Sequence, residues 1–152
     1  MAVKVRTALA SVVVVSLLAA ALFAQTSGKA KAKEKVWPAA DMKWVPSPGA
    51  PAGVMQVALW GDSTKGAYGA LEKFPAGFSA PLHTHSASLK TVVISGTIIH
   101  GVPGKPDVSL PAGSYLYEPA NMPHTTACDK ASECVFFLEA SGKFDLIPAE
   151  KK

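Results

Sequence analysis

Residues 81–96, Pro81-Leu-His-Thr-His-Ser-Ala-Ser-Leu-Lys-Thr-Val-Val-Ile-Ser-Gly96, set two histidines one residue apart. Side chains alternate along a strand, so His83 and His85 share one face and Thr84 takes the other. Their Cα atoms would lie roughly 7 Å apart at strand rise. Two imidazoles at that spacing can converge on one ion, and they can equally line a polar barrel interior without metal. Where a metal site would often recruit a carboxylate, the sequence offers Ser88, Leu89 and Lys90.

Around this stretch the chain is a series of short apolar segments cut by Gly and Pro. Candidate strands are Val54–Trp60, Ala67–Phe74, Ala80–His85, Thr91–Ser95, Thr97–His100, Asp107–Leu110, Tyr115–Glu118, Thr125–Cys128 and Cys134–Glu139. No segment after the first 24 residues keeps a 3.6-residue apolar period for three turns. Many short strands at this spacing predict an all-β sandwich or barrel. A third histidine, His124, follows a strand and a tight turn in Glu118-Pro-Ala-Asn-Met-Pro-His124, so three of the four histidines can meet inside a small barrel.

Two motifs carry a family resemblance. Gly77, five residues, His83, Thr84, His85 and then Gly96 resemble the first motif of the cupin superfamily. Gly113, five residues, Pro119, Ala120, Asn121, two residues and His124 resemble the second, with Cys128 at its last position. The resemblance implies a double-stranded β-helix (a jelly-roll barrel) from about Val54 to the C-terminus, with a metal held near its mouth by His83, His85 and His124. Three positions depart from the pattern. Asn121 stands for a turn glycine, which is benign because Asn tolerates left-handed backbone. Cys128 stands for a terminal Asn. The usual glutamate position falls on Leu89, or on Lys90 in the other spacing, and neither supplies an oxygen. Three neutral imidazoles suffice to hold a catalytic ion with an open position. Without a carboxylate the site would be about one charge unit more positive, which favours an anionic ligand.

Other residues are pocket or outer-layer candidates. His100 ends its strand and is expected beside the site or at the surface. Glu118 precedes Pro119 and is expected in solvent. Glu139 is expected as a strand-end charge or, less favoured, as an inward carboxylate. Tyr115 and Tyr117 share a face that could line a pocket or pack with hydroxyls at the rim. Leu89, Val93, Ile98, Tyr115 and Phe137 are the candidate barrel wall, and Lys90 or His100 could steer an anion. Cys128 and Cys134 bracket a polar turn, so a disulfide across a hairpin is expected in an oxidising compartment, with two partly buried thiols as the alternative.

The N-terminus reads separately. Lys4 and Arg6 precede an apolar run from Ala8 to Ala24, the pattern of a cleaved secretory signal over residues 1–24. Cleavage after Ala24 and cleavage at Ala19-Ala20-Ala21 are both open, and an uncleaved anchor would be the one membrane contact. Residues 25–36 are a Lys-rich flexible linker, residues 37–53 an N-terminal arm and loop, and residues 54–152 the barrel. The chain carries 15 basic and 11 acidic residues. The excess sits in the leader and linker, while basic and acidic residues nearly balance from Lys43 onward. The basic charge is therefore no argument for a nucleic-acid partner, and none is expected.

These readings converge on an exported, periplasmic or secreted, mononuclear metal-binding protein with a small-molecule ligand. An iron-dependent dioxygenase acting on a small anionic or chelating substrate is the leading expectation. Zinc is the next metal, and manganese, nickel or copper also suit imidazole ligands. A zinc-dependent hydrolase or lyase and a non-catalytic zinc or small-ligand sensor are the alternatives. The resemblance and the aromatic arm make a homodimer reasonable.

Overall fold

Strand alternation, where one face must be apolar, organises the barrel. In the computed structural model, which describes residues 33–150, the central strand β5 (Leu89–Ser95) turns Leu89, Thr91 and Val93 inward and Lys90, Val92 and Ile94 outward. Its neighbour β10 (Cys134–Ala140) buries Cys134, Phe136, Leu138 and Ala140. Together with β1 (Val45–Pro46), β2 (Met55–Gly61), β3 (Tyr68–Phe74) and β8 (Tyr115–Glu118) they form a six-stranded sheet in the order β1-β2-β3-β10-β5-β8. A five-stranded sheet has the order β11-β4-β9-β6-β7, from β4 (Ser79–Thr84), β6 (Thr97–Gly101), β7 (Val108–Pro111), β9 (His124–Cys128) and β11 (Ile147–Pro148). Every paired strand runs antiparallel.

Consecutive strands repeatedly change sheet, as in β3 to β4, β5 to β6 and β8 to β9, which is how a jelly roll wraps one core. The β5–β6 corner turns at Gly96, with φ +76°. A Cβ there would lie 2.4 Å from the Glu133 carbonyl oxygen, so the corner admits only glycine. The core between the sheets holds Tyr68, Ala70, Leu89, Val93, Ile98, Phe136 and Leu138. Each large aliphatic or aromatic side chain buried there contributes roughly 2 kcal/mol. Elements from Trp37 onward belong to one unit.

Nine strands lie where the Gly/Pro punctuation puts them, with ends shifted by a residue or two. The short strands β1 and β11 are additions. β1, in the arm, pairs with β2, and Lys73 Nζ sits 4.6 Å from the Trp44 ring centroid. The expected wall is corrected at two positions: Tyr115 faces outward, and Phe136, not Phe137, faces inward, because β10 buries its even-numbered positions. The expected leader (residues 1–24) and residues 25–32 of the expected linker lie outside the described residues.

Candidate metal centre

A bulge decides where the histidines point. The β4–β9 register pairs Ala80 with Thr126 and then His83 with His124, shifting between the two pairs. Simple alternation from buried Ala80 would turn Leu82 and Thr84 inward. The irregularity resets the parity, so His83 and His85 are buried instead. His124 opens β9 directly opposite His83. The turn before it passes through Asn121 at φ 62°, the one left-handed non-glycine among the described residues. The Asn121 N–H donates to the His85 carbonyl at 2.7 Å, tying the two motifs together.

One ring nitrogen from each of His83, His85 and His124 lies within 4.8 Å of the others. Only 2 %, 8 % and 2 % of the three residues is exposed. Each Nδ1 faces a backbone carbonyl: His83 that of Pro81 at 2.6 Å, His124 that of Met122 at 2.9 Å, and His85 that of Asp145. Nδ1 therefore carries the proton in each neutral ring, leaving Nε2 as the free lone pair. Burial pushes the His83 pKa down to about 4 and lowers that of His85 as well. Both rings are neutral near pH 7, the form that ligates metal. Burial also works against charge on His124, but the adjacent Glu118 outweighs it and raises this pKa. Such a donor set, dry, preoriented and convergent, could hold a metal ion.

Glu118 is the residue the sequence reading misplaced. It is buried, 6 % exposed, because β8 turns Leu116 and Glu118 inward and Tyr115 and Tyr117 outward. Its Oε1 lies 2.9 Å from His124 Nε2 and 3.7 Å from His100 Nδ1. Neither contact has hydrogen-bond geometry, so among the described residues Glu118 Oε1 and His100 Nδ1 are both buried without a hydrogen-bond partner. Burial alone would raise the Glu118 pKa, yet the surrounding imidazoles, His124 foremost, bring it below the ordinary value. The signal for Glu118 was its place on a strand with Leu116, but Tyr-Leu-Tyr-Glu supports either parity, and Pro119 suggested an exposed turn.

The remaining candidates divide between inside and outside. Leu89 lines the cavity, and His100 is buried beside Glu118, its ring centroid 5.5 Å from that of His124. Lys90 and Glu139 face solvent and pair with each other at 2.7 Å, so neither reaches the histidines. Tyr115 and Tyr117 are more than half exposed on the outer surface and do not line the barrel cavity. A cavity of about 70 Å³ runs through the barrel, bounded by Glu72, His83, His85, Leu89, Glu118 and Phe136 among others. Cys128 and Cys134 form a disulfide between the end of β9 and the start of β10.

Comparison with known proteins supports the fold. The polyketide cyclase RemF from Streptomyces resistomycificus superposes with TM-score 0.63 at 17% identity, over 79% of this chain and 88% of that one. An RmlC-like cupin from Shewanella frigidimarina NCIMB 400 gives TM-score 0.56 at 18% identity, over 72% and 91%. A candidate acetylacetone dioxygenase from Methylibium petroleiphilum PM1 gives 0.57 at 24%, over 74% and 80%. Curated protein sequences yield no match. The family model described as a domain of unknown function, DUF4437, matches residues 30–152. The two-sheet barrel is thus a cupin fold, and the chain belongs to the DUF4437 family.

Proposed function

We propose that the protein is an exported mononuclear metalloenzyme, an iron-dependent dioxygenase acting on a small chelating or anionic organic substrate. The observation that carries this reading is the convergence of three buried imidazoles whose Nδ1 protons are all committed to backbone carbonyls. His83, His85 and His124 are the proposed ligands. A redox-active ion held by them would supply the Lewis acidity and electron transfer that a dioxygenase reaction needs. The chain's own part is to orient and to exclude water. Leu89, Ile98, Phe136 and Leu138 give the cavity an apolar wall, and buried Glu72 and Glu118 are its polar points. The fold likeness to a candidate acetylacetone dioxygenase supports a diketone-like substrate class, since such compounds chelate through two oxygens.

Export is part of the proposal. The pattern of residues 1–24 and the Cys128–Cys134 disulfide support it. Cell fractionation combined with thiol labelling tests it, and a cytoplasmic protein with two free thiols would reject it.

The functional test is elemental analysis of protein purified from its own compartment without chelators or added metal, followed by O2-electrode assays with small diketones, thiols and phenolic acids. About one iron per chain and substrate-dependent O2 uptake are expected. Zinc with no O2 uptake would replace this reading by hydrolysis, elimination or sensing at the same histidines.

A further inference from the structure

The cupin position occupied by Leu89 lacks a carboxylate, yet the residue directly across the β5–β8 ladder from Leu89 is Glu118. Cross-strand partners on one face have Cβ atoms about 5 Å apart, so a side chain from either can reach the same point between the sheets. Glu118 reaches His124, which comes from the opposite sheet. Its Oε1 is 2.9 Å from an Nε2 whose ring proton already faces the Met122 carbonyl. At that separation the two atoms need positive charge between them, which either a second proton on the imidazole or a metal ion supplies, and a bound metal displaces that proton. Oε1 is also buried with no hydrogen-bond partner, a costly state for a carboxylate unless it binds something. Ligand atoms about 2.1 Å from a common ion and at right angles to one another are about 3.0 Å apart, close to the separation seen here.

We infer that Glu118 is a fourth metal ligand, so that the site is three histidines and one carboxylate, the carboxylate having moved one strand sideways from Leu89 to its ladder partner. The inference rests on metal binding by the three histidines. It lowers the net charge of a divalent site by one unit and cancels the excess positive charge that the loss at Leu89 would otherwise leave. His100, itself buried, has Nδ1 3.7 Å from the same carboxylate.

Cobalt(II) titration of the metal-free protein tests the assignment, read by visible absorption and by competition with a chromophoric chelator. Glu118→Gln keeps the shape of the side chain and removes its charge. The variant should bind cobalt more than about a hundredfold more weakly, beyond the roughly 10–100-fold typical of an outer-layer partner, and its d–d spectrum should change in position and intensity. The swap Leu89→Glu/Glu118→Leu returns the carboxylate to the other strand. It should recover most of the affinity and show a spectrum closer to that of the unsubstituted chain. An unchanged spectrum in Glu118→Gln overturns the inference whatever the affinity, as does a swap that folds but binds no better than Glu118→Gln. If the swap does not fold, the Glu118→Gln spectrum alone decides. Cobalt refused by the unsubstituted chain would overturn the metal reading along with this one, whereas cobalt held identically by both chains overturns only this one.

Discussion

Two glutamates face the same cavity from the same sheet, and their surroundings set them apart. Glu118 ends β8 among His124, His100 and His85, and these neighbours outweigh burial and hold its pKa below the ordinary value. Glu72 lies on β3 in the row Gln56, Glu72, Phe136 and Val93. Among the described residues its only side-chain hydrogen bond is a long one, donated by the Ser47 hydroxyl at 3.4 Å, and its Oε2 has none. There burial dominates, offset only in part by Ser47, and pushes the pKa up to about 8. The same residue type is therefore an anion at one end of the cavity and a neutral acid at the other near pH 7. Imidazoles provide a place for charge, and a phenylalanine-lined wall does not. If chemistry occurs in this barrel, the two ends are equipped for different tasks.

The sharpest way to break this contrast is at the histidines. His83→Ala/His124→Ala should abolish metal retention through dialysis, measured by elemental analysis, and full retention would remove the metal centre from the histidine end. Next in size is the pH dependence of Glu72. Its folded-state pKa of about 8 lies well above the 4.5 of an ordinary glutamate. Between those values the unfolded chain has released a proton that the folded chain keeps. Stability therefore falls as pH rises across this window and levels off above about pH 8. Glu72→Gln should melt like its parent near pH 4 and be more stable by on the order of 2–4 kcal/mol at pH 8, measured by urea unfolding. Parallel curves for the two proteins at all pH values would mean that Glu72 is ionised in the fold and that the two ends do not differ.

The Cys128–Cys134 bridge closes a loop of sequence separation 6. Removing it by Cys128→Ala/Cys134→Ala should cost about 2 kcal/mol of stability in chemical denaturation and leave metal content unchanged. A loss of metal would link the disulfide corner to the histidine end. The smallest effect belongs to the outer pair of exposed Lys90 and half-buried Glu139. Lys90→Ala/Glu139→Ala should move neither metal content nor the melting temperature measurably, and any change in metal content would return these residues to the site.

Much of the barrel was legible because turns and alternation are local signals. Gly77, Gly96 and Gly113 all take positive φ, and Asn121 takes the left-handed turn expected of it. The convergence of His83, His85 and His124 followed from motif spacing, although the detail differs: a bulge, which spacing alone does not reveal, turns the first two inward. Parity was the weak link elsewhere. Tyr115-Leu-Tyr-Glu118 and Val135-Phe-Phe-Leu138 place large side chains on both faces, so local pattern favoured Tyr115 and Phe137 over Glu118 and Phe136 as inward residues. The neighbouring strands choose, since Leu89 across from Glu118 is already committed to the core. The Asp145 carbonyl that orients His85 was invisible for another reason, being 60 residues away with no side-chain signature.

That long-range contact bears on how the site comes into being. On the edge of β4 away from β9, His83 is paired with Pro148 of β11, and the Ser86 N–H donates to the Asp145 side chain at 2.8 Å. A chain synthesised N-terminus first has all three histidines by residue 124 but lacks the segment that fixes two of them until residues 145–148 emerge. The histidines precede their arrangement. If they hold a metal, its selection would fall to whichever ion pool surrounds the finished polypeptide rather than the one surrounding the nascent chain, and a product cut short before Asp145 would carry all three histidines and still lack the carbonyl that orients His85.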